Sequence, residues 1–514
     1  MTTPSSEIGP RRLPVGLSFP GLAVSAAAIA LLGGAIWIGQ TSSVGFVVVG
    51  ALFVTVLAVA AWRWPRAVLL IAVLSPILDR YIIAGLLPSS LGTAAHITSE
   101  ALLGGVGLVV AIRGQRDGTL LPALRHPAVY ALALFVVVGA AGAAVNGVPP
   151  IVALAGLAFT LDAAILLIAV RIVGYDLGQA SRSIVGFIAL VTIAAIVALG
   201  QALLDPNLFG LSVLTGRFGE VYRLSSFLGD PNTFGAFLIA AAPFAVMGAV
   251  AARSRSWLGA ALLLAFVLLV ALWVSFSRGA WLALIAGGGV AFALVDRRAL
   301  VTGGAVLAMA FAIALTMPRD LMVPARAPDA GPAARPDLID STFNRVGAVG
   351  EGRDLRTQFL LNAMPILRDH SIVGVGPGRY GGAAADIFPT PVYPDYGTDA
   401  LFSSPTQRTV DNFWLHIAVE GGALGLLALV AAILAVLLPA LVAAWHAVGR
   451  RRILLAGIVA AAGALVVNAA TTMTLEGNSV AYPFWFLLGL ATLIAAAPAG
   501  GSAGEQDREE PEQA

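Results

Sequence analysis

Apolar stretches close to the length of a bilayer span recur along this chain from end to end, and they constrain its fold more than any other feature. A run of about 20 such residues crosses the hydrocarbon core as a helix. A helix is the one single-segment structure that satisfies its own backbone polar groups in lipid. The chain is 59% hydrophobic and 11% charged, where a soluble domain is about 25% charged. The expected fold class is therefore all-α and polytopic.

We place about fourteen (12–14) transmembrane helices. The first seven are Gly21–Gln40, Val44–Trp62, Ala67–Leu87, Ala94–Ile112, Val129–Val145, Ile151–Val170 and Ile184–Leu204. The second seven are Thr233–Ala252, Trp257–Ser275, Gly279–Val295, Leu300–Met317, Gly421–Ala444, Ile453–Thr472 and Pro483–Ala497. The arginines between them alternate: Arg11/Arg12, Arg63/Arg66, Arg113/Arg116/Arg125, Arg171/Arg182, Arg253/Arg255, Arg297/Arg298 and Arg450/Arg451/Arg452 fall on one side. By the positive-inside rule that side is cytoplasmic, and both termini with it. Residues 1–18 are then a cytoplasmic N-terminus, 19–204 an N-terminal helical region, 205–498 a second region, and 499–514 a polar acidic tail expected to be disordered. The location is the inner (plasma) membrane, with no cleavable signal behind the first span.

Cysteine is absent, which excludes disulfides and thiolate chemistry. All thirty basic residues are arginine, as GC-rich coding would give, and a net charge of +2 gives no argument for nucleic acid. Two segments on the outer side break the charge rule: Asp205–Asn232 and, between helices 11 and 12, the long loop Pro318–Asp411. The latter holds Arg319, Arg326, Arg335, Arg345, Arg353, Arg356, Arg368, Arg379 and Arg408. Long loops translocate regardless of charge, so the topology stands, and attraction to an anionic ligand is the simplest use for these arginines.

Four motifs lie on that side. In Arg223-Leu-Ser-Ser-Phe-Leu-Gly-Asp-Pro-Asn232, Pro231 presets a helix start and Asn232 is expected to cap it. A helix N-terminus attracts anions, with Arg217 and Arg223 beside it. In Ser275-Phe-Ser-Arg-Gly279, Arg278 sits where the membrane begins, either snorkelling or clamping a phosphate. Gly352-Arg-Asp-Leu-Arg356 leads into a helical pattern through Leu367, followed by Gly374-Val-Gly-Pro-Gly378, whose glycines allow close backbone approach. Arg353, Arg356, Gly376 and Gly378 are the candidate ligand contacts there. In Asp411-Asn412-Phe-Trp-Leu-His416-Ile-Ala-Val-Glu420, His416 and Glu420 share a helical face. Asp411 reads as a cap or as a general base.

Taken in order, R-x-x-x-F-x-x-D-P-N, S-R-G, G-V-G-P-G and D-N-x-x-L-x-x-x-x-E-x-G-x-x-G resemble the O-antigen ligase and Wzy-type polymerase superfamily between Arg217 and Gly425. The resemblance implies a GT-C-like fold and an enzyme that works without metal or other cofactor. It implies an undecaprenyl-diphosphate-linked oligosaccharide donor and a glycan, lipid or protein acceptor, met among membrane lipids. It also implies that Arg223 and Arg278 hold the diphosphate, with Asn232, Asn412 and Glu420 in the binding motifs. Where many relatives have His-Asn, this chain has Asp411-Asn412. The base is then Asp411, or His416 one turn on; five residues rotate a helical side chain by about 140°, so the two are not equivalent. Asp411 is the favoured one. The departure also moves the reading from ligase towards polymerase.

In the first half, Asp79, Arg80, His96, Glu100 and Asp162 lie inside predicted spans. Paired charges between helices, or an ion path, account for them. A transporter or flippase of lipid-linked sugars is the competing function, and a scaffold the third. Neither explains Arg223, Arg278 and Asp411 at one membrane level.

Overall fold

The computed structural model describes residues 54–78, 98–204, 214–215, 222–316, 355–402 and 409–497. The chain is a polytopic α-helical membrane protein. The described helices are α1 Val54–Arg63, α2 Pro65–Leu78, α3 Thr98–Arg116, α4 Pro127–Val145, α5 Pro150–Val173, α6 Leu177–Leu203, α7 Pro231–Val250, α8 Arg255–Val274, α9 Arg278–Val295, α10 Arg297–Thr316, α11 Leu355–Asp369, α12 Phe413–His446, α13 Gly449–Asn468 and α14 Asn478–Ala496. Among the described residues nine of these are long and apolar enough to cross a membrane. The predicted span Gly21–Gln40, with Asp79, Arg80 and His96, lies outside the described residues. A two-residue antiparallel pair, β1 Leu214–Thr215 with β2 Tyr222–Arg223, precedes α7.

The middle of the bundle is α7, buried round nearly its whole circumference, with α13 and α14 beside it. Its sequence explains the position. Ala and Gly make up much of α7, and small residues let helix backbones approach closely in lipid, where there is no hydrophobic drive between helices. Gly235 of α7 abuts Ser277 at the head of α9, and Gly287 of α9 abuts Gly463 of α13. The α9 backbone widens to a π turn over Leu284–Gly288 at that crossing.

The two ends of the bundle differ. At one end Arg66 donates to Gly174 O (2.9 Å), Arg113 to Trp62 O (2.5 Å), Arg171 to Ala123 O (3.1 Å) and Arg451 to Ile494 O (3.1 Å). Arg452 pairs with Asp296 at 3.2 Å. Arg66, Arg113, Arg171, Arg451 and Arg452 of the alternating set thus each bind a neighbouring helix end. The four motifs lie at the opposite end.

The interruption between α10 and α12 has a core of its own. Phe359, Ile366, Val375, Tyr380, Tyr393 and Phe402 cluster there and pack on Leu415 and Val419 of α12. Tyr393 and Phe402 stack at 4.0 Å. Burial pushes the Tyr380 and Tyr393 phenols up, and the Tyr393 oxygen accepts from Gly381 N at 2.9 Å. The helical pattern expected through Leu367 is α11. The stretch Ala325–Asp340 lies outside the described residues.

The sequence reading starts the next span at Gly421. The structure carries the helix back to Phe413 but breaks it at Gly422, which has φ 62°. A broken helix leaves backbone groups to be satisfied from elsewhere. The loop supplies them: Ala423 N donates to Ser371 O (2.8 Å), Leu424 N to Ile372 O (3.1 Å), Val375 N to Val419 O (2.9 Å) and Gly376 N to Glu420 O (3.0 Å). At the crossing a Cβ on Gly422 would sit 2.5 Å from Gly374 N. Left-handed backbone and overpacking together make Gly422→Ala destabilising by on the order of 2–5 kcal/mol. Thermal unfolding in detergent checks this; an unchanged melting temperature would contradict the crossing.

Candidate functional site

Three helix N-termini converge at the end of the bundle away from the arginine belt. The first is α7. Asp230 Oδ2 accepts from Thr233 N (2.6 Å) and Thr233 Oγ1 (2.8 Å), so Asp230 is the cap and Pro231 the first helical residue. This corrects the expectation that Asn232 caps. An extended residue before the proline can fold its carboxylate back onto the third amide. Asn232, one position inside the helix, turns instead to α9: Ser277 Oγ donates to Asn232 Oδ1 at 3.4 Å.

The second N-terminus is α9, beginning at Arg278. The turn before it is tight. Ser275 Oγ donates to Leu272 O (2.7 Å), Ser277 N to Ser275 Oγ (3.2 Å) and Arg278 N to Phe276 O (3.1 Å). Trp273 and Trp281 stack across it at 4.5 Å. Phe276 has φ 52°, and Ser226, in the first motif, has φ 53°. These are the two non-glycine residues with positive φ among the described residues, and such strain concentrates at functional sites. Gly279 follows because the next segment leaves no room for a side chain: a Cβ there would lie 2.9 Å from Thr471 Cβ.

The third is α12. Asn412 is its cap, its Oδ1 accepting from Leu415 N at 3.1 Å. Phe413 N donates to Ala469 O at 2.8 Å. Asp411 is thereby left outside the cap, half-buried, and Arg356 Nη2 of α11 pairs with its Oδ2 at 3.4 Å. Residues 469–472, between α13 and α14, thus touch both the α9 turn and the α12 start. Asn232, Arg278, Asn412, Asp411 and Arg356 are brought to one region in this way. Of Arg223, the first residue of the first motif, the backbone is described, in β2. Arg217 and Arg353 lie outside the described residues.

The remaining predicted site residues lie behind this surface. Glu420 accepts from Gly378 N (2.8 Å) and Tyr380 N (2.7 Å), so its carboxylate holds the glycine turn against α12. Gly376 and Gly378 are buried, packed on the 143–152 stretch that joins α4 to α5. His416 is 2% exposed. Its Nδ1 lies 2.6 Å from Tyr380 O, and a carbonyl can only accept, so Nδ1 carries the proton. Nε2 has no hydrogen-bond partner among the described residues and faces Glu476 Oε2 at 3.9 Å, covered by Gly382. His416 is therefore sealed in, whereas Asp411 is 34% exposed.

Sequence reasoning passed over Thr471-Thr-Met-Thr-Leu-Glu-Gly-Asn478. The predicted span ran to Thr472; α13 stops at Asn468, whose Oδ1 accepts from Thr474 Oγ1 at 2.7 Å. Glu476 accepts from Ala383 N at 2.9 Å, tying this connection to the loop. The signal was present: three threonines, a glutamate and an asparagine in a supposedly short turn. Glu100 accepts from Asn478 (2.6 Å) and Asp162 from Tyr482 (3.1 Å), so these half-buried acids of α3 and α5 dock onto α14. Among the described residues no group of three His, Asp or Glu is arranged to hold a metal.

Residues 263–430 match the family model described as O-antigen ligase. The match opens in α8 and closes in α12, and so contains Arg278, the glycine turn, Asp411 and Glu420; Arg223 and Asn232 precede it. No curated protein matches the chain.

Proposed function

We propose, on the match of residues 263–430 to the O-antigen ligase family model, that the chain transfers a glycan from an undecaprenyl-diphosphate-linked donor to an acceptor. This reading takes the fourteen-span topology, with the site and the loop Pro318–Asp411 on the extracytoplasmic face and both termini cytoplasmic. Residues 19–204 then form an N-terminal helical region and 205–498 the transferase region. The observation that carries the reading is the meeting of three helix N-termini, bearing Asn232, Arg278 and Asp411–Asn412: Asn232 of α7 touches Ser277 before α9, and residues 469–472 touch both α9 and the start of α12.

Helix N-termini carry partial positive charge and free amides, which suit a diphosphate. Arginine stays charged and binds phosphate oxygens in pairs. In the reaction the acceptor hydroxyl attacks the anomeric carbon. The bond from that carbon to the diphosphate oxygen breaks, and the electron pair leaves with the lipid diphosphate. Asp411 takes the hydroxyl proton. Negative charge grows on the leaving group, and Arg278, with Arg223, Arg217 and Arg353, stabilises it. Asn232 and Asn412 orient the donor. Arg356 positions Asp411. His416, Glu420, Gly376 and Gly378 fix the loop that bounds the site. In this metal-independent, GT-C-type scheme the arginines supply the charge stabilisation that Mg²⁺ supplies elsewhere.

The test is reconstitution in proteoliposomes with a labelled lipid-diphosphate glycan and candidate acceptors. New glycosidic product is expected with this donor, at an unchanged rate in EDTA. Movement of the donor across the bilayer without a new bond would favour a flippase instead. Turnover with a nucleotide sugar alone would overturn the donor assignment.

A further inference from the structure

The arginine end of the bundle contains a cleft of about 410 Å³ between the α1–α2 junction, the last turn of α3 and the end of α5. It lies far from the candidate site along the helix axes: α3 starts beside Asn478, where α14 begins, and ends at Arg116. Arg63, Arg66 and Arg113 line the cleft, against one acidic side chain, Asp117. Its floor is apolar, made by Val110, Ile172 and Val173.

Two of these guanidiniums are held in place. Arg113 donates to Trp62 O (2.5 Å) and pairs with Asp117 (3.2 Å). Arg66 donates to Gly174 O (2.9 Å) and lies over the Tyr175 ring at 5.8 Å. Arg63 is exposed and makes no hydrogen bond or ion pair among the described residues. Trp62 and Trp64, each 37% exposed, flank it. Tryptophans of this kind mark the level of the lipid headgroups.

A snorkelling arginine reaches out of the membrane on a mobile stem. Here two are fixed around a concave apolar floor, and the third is left over. A cationic rim above an apolar floor at headgroup level fits a ligand with a phosphate on top and acyl carbon beneath. Basic pockets between transmembrane helices take anionic headgroups for this reason. We propose that this cleft binds the phosphodiester headgroup of an anionic glycerophospholipid, with Arg63 contacting the phosphate directly. The site is separate from the donor site and does not depend on the transferase reading.

Native mass spectrometry of the delipidated full chain tests this, with phosphatidylglycerol, phosphatidylcholine and inorganic phosphate as probes. Phosphatidylglycerol is expected to be retained in preference to the other two. Arg63→Gln, which removes no hydrogen bond or ion pair among the described residues, is expected to weaken retention about fivefold. Arg182→Gln, an exposed arginine of the same end outside the cleft, is expected to leave it unchanged. Equal retention by wild type and Arg63→Gln would overturn the proposal. So would equal binding of phosphatidylcholine, or displacement of phosphatidylglycerol by millimolar phosphate.

Discussion

Arg278→Gln is expected to lower turnover of a lipid-diphosphate glycan by about 10²–10³-fold at saturating donor, the loss found when one donor to a developing oxyanion is removed. Arg278 opens α9 in a turn fixed by Ser275, Ser277 and the stacked pair Trp273–Trp281. Its backbone is therefore set before substrate arrives, and stabilisation by a preorganised cation requires no rearrangement during the reaction. In the proposed reaction the diphosphate gains charge as its bond to the anomeric carbon breaks, so the interaction would be stronger in the transition state than in the bound donor. The loss should accordingly fall on kcat more than on KM. Arg278→Lys should recover only part of it, because an ammonium cannot bind two phosphate oxygens side by side. Proteoliposome kinetics with labelled donor give the result. Unchanged kcat in Arg278→Gln removes Arg278 from the diphosphate.

Asp411→Asn is expected to cost about 10²–10⁴-fold in rate, the usual contribution of a positioned general base. The substitution is close in shape and leaves the Asn412 cap in place, so the fold should survive. A rate loss alone does not separate a base from a carboxylate that merely holds Arg356. The pH profile does: an acidic limb of kcat/KM is expected in wild type and should vanish in Asp411→Asn. Arg356→Gln should keep that limb while lowering the rate. His416→Gln should instead lower thermal stability, since it breaks a buried contact to Tyr380 O and leaves the acidic limb in place. Were the limb to disappear in His416→Gln and persist in Asp411→Asn, the roles would be exchanged.

Much of this arrangement was legible in the sequence because lipid allows few solutions. Helices α4, α5 and α7 to α9 follow the apolar runs to within a few residues, and α6 starts seven residues before its run. The four motifs were visible as polar residues where spans begin. What was not legible follows from contacts made across long separations. The periodicity of α12 gives no sign that it breaks at Gly422, because the cause is the backbone of Gly374 lying against it. Asp230 and Asn232 are both good caps; Asp230 takes the Thr233 amide, and Asn232 turns to Ser277, 45 residues on. Glu476 was overlooked because its partners, Ala383 and His416, lie far away in the chain.

The break in α12 also bears on how the protein is assembled. While the loop is undocked, the amides of Ala423 and Leu424 and the carbonyls of Val419 and Glu420 lack the partners they have in the finished fold. Lipid offers none. A nascent α12 would therefore enter the bilayer as one straight helix and acquire its break only when the chain around Ser371–Gly376 settles against it. The connection between α10 and α12 then acts late in biogenesis, converting an ordinary span into the two-part helix on which the site is built.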